Sequence, residues 1–291
     1  MCKFRYLKIM AYIHQLFLIF LMSLLFMNSP FAADSECELL LQQPGRLQDE
    51  FTYKSKYYEV YDQVLELFDE HRELRELHDD SMPSGNVKII DAGGGTGLLT
   101  RHLKATDPSR SIEIFDLSPE MTGVARKKMA EAAKEYGIPA SDIHISSITD
   151  LVRSNGQRVP DNSIDGVMAN NVLYLLTPEE VLQLFKESAR VLKVGGKLSV
   201  ASMKRVPRTK MNAFLKYLKT EIEKMEADGD VPPNAADIFF STNVRLTTNS
   251  PTTFTVEEIV KIAEQYGFRA IIKFDFKYRG TAFFASFIKV R

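Results

Sequence analysis

Between residues 46 and 80, apolar positions recur at three- and four-residue spacing: Tyr57, Val60, Tyr61, Val64, Leu67 and Phe68, with charged residues between them. That period predicts an amphipathic helix. Ser81, Met82, Pro83, Ser84 and Gly85 then break the chain. Beyond the break, short apolar runs alternate with helical stretches, the pattern of a parallel sheet wrapped by helices. Strands are predicted at 87–91, 112–116, 143–146, 164–169 and 197–202, and two more at 270–277 and 282–290, joined by a tight turn at 278–281.

The helix boundaries carry their own signals. Ser118 precedes Pro119, which suits the first position of a helix. Thr177 with Glu180, and Thr255 with Glu258, have the spacing of capping boxes. The first of these opens a helix burying Val181, Leu184, Phe185, Ala189 and Leu192, which Gly195 and Gly196 are expected to stop. The second opens a helix ending at Gly267. Residues 204–251 interrupt the alternation. They are expected to hold one amphipathic helix (Met211, Phe214, Leu215, Leu218, Ile222, Met225) and then a turn-rich stretch through Pro232 and Pro233.

The first 33 residues differ from the rest. Lys3, Arg5 and Lys8 precede an apolar run over 9–27, followed by Ala32 and Ala33 and then the acidic Asp34 and Glu36. This is the form of a secretory leader; a retained membrane anchor or translation from Met27 are the alternatives. The expected organisation is this segment at 1–33, a helical cap at 34–84, and an α/β domain at 85–291 with a helical lid insertion at 204–251. Charge is balanced, with 37 basic against 38 acidic residues. No global field therefore recruits nucleic acid or an anionic membrane. Cys2 and Cys37 are the only cysteines, too few for a disulfide framework or a zinc cluster.

Chemistry concentrates where the first strand ends: Asp91, Ala92, Gly93, Gly94, Gly95, Thr96, Gly97. Glycines between a strand and a helix let backbone approach a ligand closely and aim helix N-terminal amides at it. Asp116, 19 residues beyond Gly97, ends the next strand, where a carboxylate accepts hydrogen bonds from ribose hydroxyls. The dinucleotide fingerprint fails in both registers, because its last glycine falls on Leu98 or Thr100. There is no Gly-Lys-Ser/Thr, so no phosphate loop of that type is present.

Four motifs stand in order: Asp91 to Gly97; Phe115, Asp116, Leu117, Ser118, Pro119, Glu120, Met121; Pro160 to Asp165; and Leu192 to Gly196. Together they resemble the class I S-adenosylmethionine-dependent methyltransferases, most closely the small-molecule-type domains, over roughly 87–202. The resemblance implies a Rossmann-like sheet of seven strands, mostly parallel, with helices on both faces and an antiparallel last strand. It implies S-adenosylmethionine as cofactor, with Gly93, Gly95 and Gly97 lining its methionine and ribose, Asp91 near its amino group, Asp116 on the ribose hydroxyls and Leu117 on the adenine. Where the family commonly has an acidic adenine contact after the third strand, this chain has Ser147, with Asp150 three residues later.

Asn170, Asn171 and Tyr174 follow the fourth strand, where the family places groups facing the transferred methyl. They are the acceptor-site candidates, and Asn170 is also a cofactor contact. The Asn/Asp-Pro-Pro-aromatic motif used on planar amines is missing, which argues against nucleic-acid and protein-amide methylation. The acceptor expected is a small or lipid-like organic molecule, and a non-catalytic cofactor-binding module is the alternative. His144 is expected to be a core histidine rather than a base. Tyr53, Tyr57, Tyr58 and Tyr61 are candidates for a cap over the cofactor, and residues 9–27 for membrane association. Oligomeric state and localisation are left open, because a leader predicts export while the cofactor is made inside cells.

Overall fold

The computed structural model describes residues 57–249 and 252–291. The leader-like segment and Tyr53 lie outside them, and the side chains of Tyr57 and Tyr58 are likewise not among those described. In chain order the elements are α1 (Tyr57–Leu67), α2 (Asp69–Ser81), β1 (Lys88–Ala92), α3 (Leu98–Thr106), β2 (Ser111–Asp116), α4 (Pro119–Tyr136) and β3 (Asp142–Ile145). There follow β4 (Ile164–Asn170), a 3-10 turn (Leu173–Leu175), α5 (Pro178–Val191), β5 (Leu192–Met203), α6 (Arg208–Asp228) and α7 (Ala235–Asn249). The chain ends with α8 (Val256–Gln265), β6 (Phe268–Lys277), a 3-10 turn (Tyr278–Gly280) and β7 (Ala282–Lys289).

One seven-stranded sheet runs β3-β2-β1-β4-β5-β7-β6. The pairs from β3 through β5 are parallel, and β7 is antiparallel to both neighbours. The strand order reverses between β1 and β4, so the crevice beyond their carboxyl ends is where such a sheet places a ligand.

Period-two alternation sends neighbouring side chains of one strand to opposite faces. On β7, Phe283, Ala285 and Phe287 pack with Val181, Phe185, Val256 and Ile259 of α5 and α8. On the opposite face of β7, Ala282 and Phe284 pack with the apolar stripes of α1, α6 and α7. Fully burying one such phenylalanine contributes roughly 1.5–3 kcal/mol. Both predicted capping boxes form, with Thr177 and Glu180, and Thr255 and Glu258, exchanging side-chain and backbone hydrogen bonds at 2.8 and 3.2 Å.

Three expectations need correction. The single helical stretch at 46–80 is broken at Phe68, whose extended backbone separates α1 from α2 and whose ring is buried. Gly195 and Gly196 do not stop a helix. α5 ends at Val191, and β5 runs through both glycines, Gly196 being held close against the Lys193 carbonyl and the Leu192 side chain. The insertion holds two helices, because Gly229 in left-handed backbone ends α6 and the proline-rich turn delivers the chain into α7. Among the described residues, no helix is long and apolar enough to cross a membrane.

Candidate functional site

The glycine loop leaves β1 beneath the reversal in strand order. Gly93, Gly95 and Gly97 have φ of +74°, +54° and +74°. At Gly93 the need for glycine is twofold, since a Cβ would lie 2.6 Å from Val172 Cγ2. At Gly95 a Cβ would meet only the Met121 sulfur at 3.4 Å, so the left-handed backbone alone, not crowding from the protein, disfavours a side chain there.

Two carboxylates flank the loop. Asp91 is buried, and its Oδ2 accepts from Thr100 Oγ1 at 2.7 Å. Burial, with the nearby Asp116 charge adding to it, pushes its carboxyl up to about 7, although the Thr100 bond opposes the shift. Asp116 ends β2. Its Oδ2 accepts from the Gly95 amide and its Oδ1 from the Ser118 amide, both at 2.9 Å. Burial raises its carboxyl too, against these backbone bonds. The two amides fix the plane of the carboxylate over the loop, and each oxygen retains acceptor capacity for a further donor. Leu117 next to it is half exposed, an apolar side chain left uncovered beside a polar cradle.

Beyond β3, Ser147 Oγ bonds Thr149 Oγ1 at 2.8 Å and accepts from the Thr149 amide at 3.2 Å. Asp150 pairs with Arg158 at 2.7 Å on a half-exposed surface, so its charge already has a partner there. His144 contacts Glu113 and Ser154 at 3.2 Å and packs on Phe115, the environment of a structural histidine.

After β4 the chain turns sharply. Asn171 has φ +54°, its amide donates to Ala201 O at 2.8 Å, and its Nδ2 donates to the Tyr278 hydroxyl at 3.4 Å. Its Oδ1 is buried without a hydrogen-bond partner among the described residues. Burial raises the phenols of Tyr174, to about 12, and of Tyr278, where the neighbouring Tyr174 adds to the shift. Asn170 lies beside His78 of α2, whose imidazole burial lowers to about 3 and whose Nδ1 sits 2.7 Å from Ser199 Oγ.

The structure therefore gathers Asp91, Gly93, Gly95, Gly97, Asp116 and Leu117 around one loop, and Asn170, Asn171 and Tyr174 at the end of the adjacent β4. It also brings in residues that pattern reading missed. Tyr278, from the β6–β7 turn, stacks on Phe214 and His71. His71, Leu74, Arg75 and His78 form the buried face of α2; their helical spacing was the available signal, masked by the polarity of the segment. Asp62 of α1 reaches the glycine loop through Thr96.

This loop, a carboxylate presented at the end of the next strand and the reversed strand order coincide with a family match. Residues 89–196 match the model of a methyltransferase domain. The chain carries a class I S-adenosylmethionine-dependent methyltransferase domain. Among curated relatives, the chloroplastic 2-methyl-6-phytyl-1,4-hydroquinone methyltransferase of Arabidopsis thaliana is 29% identical over 141 residues, covering 47% of this chain and 37% of that protein. The ubiquinone/menaquinone biosynthesis C-methyltransferase UbiE of Roseobacter denitrificans is 27% identical over 175 residues, covering 58% of this chain and 64% of that protein. The alignments thus span less than two thirds of either relative. Among solved structures, the methyltransferase fold is shared with a chain of the complex between the Haloferax volcanii Trm112 methyltransferase activator and the putative methyltransferase. The TM-score is 0.55 at 17% identity, covering 84% of this chain and 99% of that one.

Proposed function

We propose that this protein transfers a methyl group from S-adenosylmethionine to a small or lipid-like organic acceptor. The observation that carries the reading is the pairing of Asp116 with the Gly95 and Ser118 amides, which presents an oriented carboxylate beside a loop whose Gly93, Gly95 and Gly97 are in left-handed backbone. In this reading Asp116 takes the ribose hydroxyls, Leu117 packs on the adenine, and the Gly93–Gly97 backbone lies along the ribose and methionine. Asp91 balances the positive amino group, and Ser147, two residues beyond β3, serves the adenine edge.

When bound, the cofactor supplies a methyl group already activated by its sulfonium. The protein's task is to align the acceptor in line with that bond and to keep water out. Asn170, Asn171 and Tyr174 occupy the position for this. Their chemistry is that of orientation: the Tyr174 phenol stays protonated at neutral pH, and His78, raised only slightly by Asn170 and lowered strongly by burial, stays neutral. The proposed acceptor has an apolar body. The quinone-type activities named for the two relatives agree with that choice.

The test is calorimetric titration of the chain with S-adenosylmethionine and S-adenosylhomocysteine beside Asp116→Ala, followed by transfer of labelled methyl to prenylated hydroquinones and to water-soluble phenols. Micromolar binding lost in the variant, with label entering the prenylated acceptors, is expected. Folded protein that binds neither ligand would overturn the reading. Binding with no transfer to either acceptor set would leave only the cofactor half of it standing.

A further inference from the structure

Outside the matched segment, one buried carboxylate is unexplained by the core. Asp62 of α1 is 1% exposed. Its Oδ1 accepts from Thr96 Oγ1 at 2.6 Å, and its Oδ2 lies 2.7 Å from Arg101 Nη2 and 2.8 Å from Lys128 Nζ. Arg101 also donates from Nη1 to the Thr96 carbonyl at 2.8 Å. Thr96 is therefore gripped twice, at its hydroxyl by Asp62 and at its backbone by the arginine that Asp62 holds.

The partners of Asp62 come from three different segments: the glycine loop (Thr96), α3 (Arg101) and α4 (Lys128). These are the segments that border the cofactor crevice, because α3 starts at the loop and α4 starts just after Asp116. A carboxylate withdrawn from water costs several kcal/mol unless its partners are well formed. Here that cost is met by a closed ring of charge-assisted hydrogen bonds, which are shorter and stronger than neutral ones. A site meant only to anchor a helix needs no such ring, since the Val60, Val64 and Leu65 side chains of α1 are already buried. Next to Asp62, Tyr61 stacks on Phe239 of α7 at 6.3 Å, so α1 joins the insertion to the loop.

We propose that Asp62 is a positioning residue for the cofactor: it sets the glycine loop through Thr96 and makes α1 part of the cofactor site. This rests on the methyltransferase reading above and adds to it a residue beyond the matched segment. Its consequence is reciprocal, because coupling between two sites acts equally in both directions. A loop held by α1 binds the cofactor more tightly, and bound cofactor holds α1 more firmly.

The experiment measures S-adenosylhomocysteine affinity by calorimetry and backbone hydrogen exchange of residues 57–67, with and without that ligand, in the full chain. The variants are Asp62→Asn, Thr96→Val and Thr96→Ser, studied well below their melting temperatures. Loss of a hydrogen bond to a charged group predicts that Asp62→Asn and Thr96→Val weaken the ligand by about tenfold or more. Thr96→Ser, which keeps the hydroxyl, stays near the parent. The ligand slows exchange in α1 of the parent and of Thr96→Ser, and not in the other two. If Asp62→Asn proves unfolded, Thr96→Val carries the test, because it leaves the charges paired. Folded Thr96→Val with parental affinity and parental protection of α1 would overturn the proposal while leaving the methyltransferase reading intact. A parent chain that does not bind the ligand at all would overturn both.

Discussion

Asn171 and Tyr278 meet side chain to side chain at 3.4 Å, and each sits in left-handed backbone, at φ +54° and +46°. They lie 107 residues apart in the chain, one in the turn after β4 and the other in the turn between β6 and β7. For asparagine this backbone is tolerable; for tyrosine it is an outlier that costs of order 1–3 kcal/mol and persists only where surrounding contacts hold it. Here Phe68, His71 and Phe214 hold the ring. Strain of this kind clusters at functional sites, and this one lies against the acceptor candidates.

Tyr278→Phe removes the hydroxyl and keeps the stack. Its stability should change by no more than about 1 kcal/mol, the net worth of one neutral hydrogen bond. Acceptor KM should rise severalfold while S-adenosylhomocysteine affinity stays parental. Steady-state kinetics beside calorimetry checks this, and an equal loss of cofactor affinity would count against an acceptor-side role.

Gly93 and Gly95 should separate stability from binding. Gly93→Ala places a Cβ against Val172 as well as straining the backbone, so it should destabilise by about 2 kcal/mol or more. Gly95→Ala meets only the strain, about 1–2 kcal/mol, yet it puts a methyl group where the ribose is proposed to lie. Thermal melts should rank Gly93→Ala as the less stable, and titration should rank Gly95→Ala as the weaker binder relative to its own stability.

Asp91 makes stability depend on pH in a defined direction. Its folded value, about 7, lies above its ordinary 3.8, so the folded chain holds a proton that the unfolded chain has released. The contribution is complete below about pH 4 and is lost as pH rises through 7, at up to about 1.4 kcal/mol per pH unit. Glu113 and Glu187 act oppositely, because Arg153 and Arg190 hold their carboxyls low and their contribution fades as pH falls. Melting between pH 5 and 8 should therefore show a decline that Asp91→Asn flattens. Cofactor binding near pH 6.5 should release protons, read as a dependence of the calorimetric heat on the buffer.

Leu117 is 51% exposed, so Leu117→Ala should leave the melting temperature nearly unchanged, within about 0.5 kcal/mol of stability. If the side chain covers adenine, S-adenosylhomocysteine affinity should fall severalfold, and calorimetry on the folded variant would show it.

Most of the sheet, and the meeting of the glycine loop with Asp91 and Asp116, were legible because their signals are local. A glycine run after an apolar strand, an acidic residue ending the next strand, and capping boxes at Thr177 and Thr255 each depend on a few neighbouring residues. Local pattern also misled: Gly195 and Gly196 read as a helix stop, whereas β5 pairs with β4 on either side of them, at Leu192 and Lys197, and carries both glycines through as an irregularity. The second insertion helix was hidden because it follows a proline-rich turn and carries the weak helix formers Ser241, Thr242, Asn243 and Val244 in its middle.

What the sequence by itself determined is the backbone of the crevice: strands, loop glycines, Asp91 and Asp116 lie within one stretch, and their chemistry follows from residue type and spacing. Only the tertiary structure decided what surrounds that crevice. Asp62 contacts Thr96 across 34 residues, His78 reaches Ser199 across 121, and Asn171 reaches Tyr278 across 107. Such contacts arise when helices dock on a sheet, and no periodicity along the chain encodes which buried polar group meets which. The physical reason is that burial selects partners by position in space, whereas the sequence displays only position along the chain.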